Sequence, residues 1–257
     1  MKFFSFLIIA FAVVSCAAAE PGAETAAVVE PSAQQLMDDM VARLPMEPLS
    51  ISGDIILRKR HGVVIRELKF RMDLDWGKKP ATAKYTIMDA LGAKLEEMSV
   101  SREDGKPQQF THSFYGADAK GNAMPDLSDA IQDTDISWTD LTLSFLWWKG
   151  ESIIGREEIR GRPCYIIAVR PPETGKGGQY SEAHLWLDEK LHMLLQAQGF
   201  DKDGKPIRSL WVQGFKKIND RWMIKDMEIQ SSPSHRTKLL IDDVNDIDAG
   251  KRAEPQP

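Results

Sequence analysis

The chain has 257 residues, 42% of them hydrophobic, and its 33 basic against 38 acidic residues give a formal net charge of −5. That is enough to bury a sizeable core, as one large β domain or two smaller ones. An acidic balance with no basic block excludes a general nucleic-acid binder, which needs a basic surface to neutralise phosphates.

The start is the most specific signal. Met1-Lys2 is a short positive end, and residues 3–14 are an apolar run too short to span a bilayer as a stable helix. Val13-Val14-Ser15-Cys16 follows, and it resembles the bacterial lipoprotein signal, in which aliphatic and small residues precede an acylated cysteine. An ordinary secretory signal with a chance cysteine is the plainer alternative. The resemblance implies that residues 1–15 are removed and that Cys16 anchors the chain through acyl groups, each buried CH₂ contributing about 0.8 kcal/mol. Ala17 in place of an aspartate implies, by the same resemblance, the outer rather than the inner membrane. With Cys16 acylated, the second cysteine, Cys164, has no partner for a disulfide, and its apolar neighbours point to a buried structural thiol.

Residues 16–31 are rich in Ala, Glu and Pro and read as a flexible tether reaching on the order of 20 Å. The folded domain is expected over 32–244, followed by a polar, disordered tail over 245–257. Ser32 with Gln35 makes a capping box, and Leu36, Met37, Met40, Val41 and Leu44 share one helical face up to Pro45. From Leu49 the period switches to two. Leu49, Ile51, Gly53, Ile55 and Leu57 form one alternating set; Val64, Leu68, Phe70, Met72, Leu74 and Trp76 form a second, opposed by Glu67, Lys69, Arg71, Asp73 and Asp75. These are long antiparallel strands with one wet face. Further strands are expected over 81–87, 95–102 and 108–115, and residues 116–134 read as a polar loop.

The stretch 135–149 is the densest apolar run of the mature chain, and two periods compete in it. Leu141, Leu143, Phe145 and Trp147 alternate, whereas Trp138, Leu141, Phe145 and Trp148 fall at helical spacing. Ser137 with Asp140 makes a capping box and Gly150 stands where a helix would stop, so a helix is predicted over 138–148. Strands resume at 151–160 and 163–170, then as a meander over 180–187, 191–200, 206–218, 221–230 and 235–244. A three-residue loop at 188–190 would set Leu187 opposite Leu191, Leu185 opposite Met193 and Ala183 opposite Leu195, all apolar pairs.

About a dozen one-sided strands with two helices make an α+β, β-rich domain. Such a sheet hides its apolar face by forming a sandwich, closing into a barrel, or curling around helices. Curling gives both helices a home, so the expected fold is a large antiparallel sheet curled into an unclosed barrel around an N-terminal helix and a short mid-chain lid helix. Two short helices leave part of the concave face uncovered, and an apolar cavity for an aliphatic ligand is expected there.

Several stretches resemble the LolA/LolB-type outer-membrane lipoprotein-sorting proteins. They are Trp138-Thr-Asp-Leu-Thr-Leu-Ser-Phe-Leu-Trp-Trp148, Gly155-Arg-Glu-Glu-Ile-Arg-Gly-Arg-Pro-Cys-Tyr165, Trp186-Leu-Asp, Asp201-Lys-Asp-Gly-Lys205 and Arg236-Thr-Lys-Leu239. The likeness covers roughly residues 33–244. It implies an unclosed barrel whose helical lid covers a cavity for acyl chains. The chain is then a non-enzymatic binder or transfer protein for lipoprotein acyl chains or other lipids. It would be tethered by Cys16 on the periplasmic face of the bacterial envelope, an anchored acceptor more than a soluble shuttle. Trp138, Leu141, Phe145, Trp147 and Trp148 are the candidate lid contacts, and Leu68, Phe70, Met72, Leu185 and Met193 the candidate cavity wall.

A plain core helix would bury the same lid residues. Adjacent tryptophans cannot share one narrow face, so Trp147 or Trp148 is expected to line a cavity or meet a partner. His184, Trp186 and His192 are assigned to the solvated face of their hairpin, and without a third ligand no metal is expected. No cofactor motif, nucleophile elbow or phosphate loop is present. Arg58-Lys59-Arg60 and Lys216-Lys217 read as solvated turn charges, with contact to lipid headgroups as the alternative. An envelope sensor or scaffold that binds a carrier or transporter protein is the second functional reading.

Overall fold

The computed structural model describes residues 30–103, 106–116, 126–172, 179–218 and 221–247. The expected signal peptide, Cys16 and most of the tether lie outside these residues, as do the Asp104-Gly105 turn, the centres of the 116–134 and 171–178 loops, and the tail from 248.

Helix α1 (Ala33–Ala42) begins at the capping box read from the sequence, with Ser32 and Gln35 bonded reciprocally, and it caps at Arg43, two residues before Pro45. Then come β1 (Leu49–Lys59), β2 (Val64–Asp75), β3 (Ala81–Asp89), β4 (Lys94–Arg102) and β5 (Gln109–Phe114). A short α2 (Trp138–Leu141) precedes β6 (Lys149–Ile159), β7 (Arg162–Arg170), β8 (Glu182–Asp188), β9 (Leu194–Phe200), β10 (Pro206–Ile218), β11 (Arg221–Ser232) and β12 (His235–Asp246). The last strand therefore takes in two residues expected in the tail, and the Ile247 N–H donates to the Pro48 carbonyl.

All twelve strands form one antiparallel sheet in the order β5-β4-β3-β2-β1-β12-β11-β10-β9-β8-β7-β6. Two meanders are joined by a single ladder, β1 with β12, so the strands nearest the two chain ends lie in the middle of the sheet. The free edges are β5 and β6, consecutive in sequence, and the sheet is not closed into a barrel. Alternation works as the sequence implies: Leu68, Phe70 and Met72 are buried while Glu67, Lys69 and Arg71 are exposed. The buried faces of β1–β4, β7–β12 and α1 belong to one core cluster.

Gly150 does not stop a helix. It lies in β6, where an added Cβ would stand 3.1 Å from the Ala33 carbonyl, so its bare Cα is what lets α1 lie against this edge strand. Gln34 Oε1 accepts the Gly150 N–H at 3.1 Å, satisfying an edge donor that would otherwise invite another strand.

The β8–β9 register also differs from the sequence expectation. Leu187 faces Leu194, Leu185 faces Ala197 and Ala183 faces Gly199, with Met193 in a wide turn. Asp188 is the reason. Its Oδ1 accepts the Lys190 and Leu191 N–H groups at 2.9 and 2.6 Å, and its backbone bonds to both His192 and Met193. With His192 at φ 49°, this lengthens the loop. Trp186 does not face solvent either: it is buried with Cys164 and Leu195 in a small cluster separate from the main core, its Nε1–H donating to Glu157 at 2.7 Å. Burial pushes the Cys164 thiol up to about 11, which keeps it protonated and inert, the structural role expected of it.

Arg162 Nε donates to Asp188 Oδ2 at 2.6 Å. Burial alone would raise the Asp188 carboxyl, but Arg162 and the two N–H donors outweigh it and hold the pKa below the usual carboxylate range. A carboxyl depressed in the folded state contributes stability that is fully present above its unfolded pKa, about 3.9. That contribution is lost as pH falls through the folded pKa. Asp188→Asn is therefore expected to cost about 1–3 kcal/mol at pH 7, with the gap to wild type closing in acid. Urea titrations over pH would check this, and a pH-independent gap would refute it.

Candidate functional site

In sequence the stretch 115–148 links the two free edges of the sheet, and its described part, 126–148, packs on the apolar face. The stretch expected as a polar loop is partly core: Leu127 and Ile131 are buried, with a 3-10 turn at Ile131–Asp133. The predicted capping box is present at α2, where Ser137 Oγ accepts the Asp140 N–H and Asp140 Oδ2 accepts the Ser137 N–H. The helix, however, is four residues long rather than eleven. Thr142 Oγ1 donates back to the Trp138 carbonyl at 2.7 Å, Leu143 adopts a left-handed φ of 48°, and a separate 3-10 turn spans Ser144–Trp147. The kink resolves the problem of the paired tryptophans. Trp148 is buried edge-on to Phe145 and Tyr180, whereas Trp147 is half-buried and tilted against Trp76 with ring centroids 5.4 Å apart.

Three buried carboxylates pin the segment to the sheet. Glu96 on β4 accepts from Gln132 Nε2 at 3.0 Å and pairs at 3.0 Å with His112 of β5, whose ring stands edge-on to Trp138. Arg66 of β2 donates to the Gln132 carbonyl at 2.8 Å. Asp135, fully buried, accepts from the Ser231 N–H and Oγ and from Thr237 Oγ1, and lies 2.9 Å from His235 Nδ1. Asp140 accepts from Ser137 Oγ at 2.6 Å, Arg208 Nη1 at 2.9 Å and the Tyr180 hydroxyl at 3.0 Å. Burial and the Asp140 charge push the Tyr180 phenol far up, so it remains a donor. Burial would lower the Arg208 pKa, but the charges and hydrogen bonds of Asp140 and Tyr180 together outweigh it and raise it, so the guanidinium stays protonated.

Beneath this helix the packing is tight. The space bounded by Phe145, Trp148, Tyr180 and Leu210 is about 10 Å³, room for no more than one water. A ligand can enter here only if the segment moves.

Arg102, the last residue of β4, shares the inner face with Met98 and Val100. Its guanidinium lies over the Trp147 ring, 3.1 Å from the centroid, and 5.0 Å from the Trp76 centroid.

A family model described as "Uncharacterized protein" matches residues 120–249, just over half of the chain, from the mid-chain segment to the end of β12. The chain belongs to that family. No curated protein matches it. Its structure is similar to that of a DUF1329 family protein from Desulfovibrio piger, with a TM-score of 0.71 at 18% identity over 85% of this chain and 92% of that one. An outer membrane lipoprotein-sorting protein domain from Vibrio parahaemolyticus aligns with a TM-score of 0.67 at 13% identity over 85% of this chain and 94% of that one. A LolA superfamily protein from Nitrosomonas europaea gives 0.65 at 10% identity, over 86% and 96%. The fold is the one these three structures share.

Within this LolA-type fold, the candidate lid residues Trp138, Leu141, Phe145 and Trp148 share one core cluster with the candidate wall residues Leu68, Phe70, Met72 and Leu185, and Trp147 packs at its margin. Met193, in the turn after β8, is half-buried outside that strand face. The two hairpin histidines separate: His184 bonds Glu182 at 2.7 Å, and His192 stands 3.2 Å from Asp39 of α1. Among the described residues no group of three or more His, Cys, Asp or Glu side chains is placed to hold a metal. Sequence reasoning missed Glu96, Arg102, His112, Asp135 and Arg208. One signal was available, since Glu96 and Arg102 fall in phase with Met98 and Val100 on an otherwise apolar face.

Proposed function

We propose that the chain is a non-enzymatic lipid binder of the bacterial envelope, tethered at Cys16 on the periplasmic side of the outer membrane. On this reading it takes up acyl chains of lipoproteins or other lipids in sorting or transport. The observation that carries the reading is the mid-chain segment. It bridges the open edges of a LolA-type sheet, covers the apolar face with Trp138, Leu141 and Phe145, and is fastened by discrete polar anchors at Gln132, Asp135 and Asp140. A plug held by a few exchangeable bonds over an apolar face can open without unfolding the sheet, and an acyl chain replaces its contacts at roughly 25 cal/mol per Å². Native mass spectrometry of protein made in bacteria is expected to show bound lipid. Repeated absence of lipid, with no uptake of a fluorescent fatty acid, would sink the proposal.

Trp147→Ala is expected to impair fatty-acid uptake while lowering stability by only about 1 kcal/mol, because this ring is half-buried and held by aromatic and cation contacts. Loss of folding in step with uptake would mark Trp147 as an ordinary core residue. The sensor or scaffold reading is favoured by one feature: Val63, Val64 and Ile65 stand exposed together at the β1–β2 turn. A single envelope protein recovered by wild type and lost with Ile65→Glu would support it.

A further inference from the structure

The Arg102 guanidinium has aromatic rings on it but, among the described residues, no counter-charge. Trp147 covers it, Trp76 stands beside it, and Gln108, in the amide orientation that satisfies both its ends, accepts from Nε and Nη2. Nη1 is buried and has no hydrogen-bond partner among the described residues. The ionisable group that acts on it is the Tyr85 phenol, which burial pushes up to about 12 and so keeps neutral. Burial lowers Arg102 itself to about 9, as befits a cation held out of water without compensation. Arg208, by contrast, has the Asp140 carboxylate at 2.9 Å as its counter-charge, although its Nε is likewise without a partner among the described residues. A dry guanidinium fork with a free donor is the geometry that takes a carboxylate or phosphate oxygen.

We propose that Arg102 seats the anionic group, carboxylate or phosphate, of an amphipathic ligand whose acyl chain runs onto the apolar face beneath Trp147. This rests on the lipid-binding reading and adds to it the ligand's charge and polarity. Met98 and Val100 continue inward from Arg102 along the same strand face, so a chain anchored by its head at Arg102 has an apolar path ahead of it. Trp147 belongs to the mid-chain segment, so opening that segment uncovers the anion seat and the apolar face together.

Binding of dodecanoate, dodecyl phosphate and the neutral methyl dodecanoate to wild type, Arg102→Gln and Arg102→Lys tests this. Wild type should prefer one or both anions over the ester by about ten-fold or more, and the better of the two identifies the headgroup. Arg102→Gln should bind all three like the ester, while Arg102→Lys keeps part of the preference. Equal binding of acid, phosphate and ester by wild type would overturn the assignment yet leave lipid binding standing. An anion preference that survives in a folded Arg102→Gln would do the same. Inorganic phosphate binding as tightly as dodecyl phosphate would replace the lipid headgroup with a free anion. If wild type binds no amphiphile, both readings fall. Should Arg102→Gln fail to fold, the acid-against-ester comparison in wild type still decides.

Discussion

Asp140→Ala is expected to lower stability by about 3–5 kcal/mol. The carboxylate joins the α2 capping box, the Tyr180 hydroxyl and the Arg208 guanidinium; it is buried, and the arginine side chain is only 13% exposed. Truncation leaves the Arg208 cation uncompensated and at the same time removes a helix cap, itself worth about 1 kcal/mol. The charge dominates, and a double variant can show it. Asp140→Ala with Arg208→Met removes both partners and should recover much of the loss, because an unpaired buried charge costs more than an absent pair. Urea unfolding of the two single variants and the double closes the cycle. A loss below about 1 kcal/mol for Asp140→Ala would mean that the segment is held by apolar packing alone.

Gly53→Ala should be nearly as damaging, at about 3 kcal/mol or more. A Cβ at this position would stand 1.8 Å from the Leu240 carbonyl oxygen of β12, with the Phe70 ring at 3.0 Å on the other side. The pairing slips at this point, Ser52 facing Asp243 and Gly53 facing Ile241, so the backbones approach more closely than a side chain allows. What must move is main chain in the β1–β12 ladder that joins the two meanders. Gly155→Ala is the control, since its Cβ would meet only the Ile166 Cδ1 at 3.6 Å, an ordinary contact. Equal soluble yield and equal urea midpoints for the two variants would refute the argument.

The strands were legible because a period of two is local: Leu68, Phe70 and Met72 announce their face without knowledge of their neighbours. The caps at Ser32 and Ser137 were legible for the same reason, since each is settled within four residues. The length of the second helix was not, because Thr142 and Leu143 break it through a side-chain bond and a left-handed turn that spacing does not encode. The β8–β9 register escaped because a single side chain, Asp188, gathers the turn, and apolar pairing favoured a shorter loop. The anchors of the mid-chain segment were invisible for a further reason. Asp135 meets Ser231 and Thr237, and Asp140 meets Arg208, across 68 to 102 residues of chain, only after the second meander has folded back over the segment. Glu96 and Arg102 could have been flagged, being charges in step with an apolar face.

The strand order has a kinetic consequence. Ten of the eleven strand pairings join neighbours in sequence, and each hairpin among them closes a short loop. The β1–β12 ladder closes a loop of about 180 residues, costing about 3 kcal/mol more in chain entropy than a four-residue turn. The two meanders can therefore assemble separately and early, and refolding waits on their meeting. The segment can hold Glu96 of the first meander and Ser231 and Arg208 of the second at the same time only once that meeting has occurred, so its bridge across the sheet is the last piece to be completed and the first free to leave.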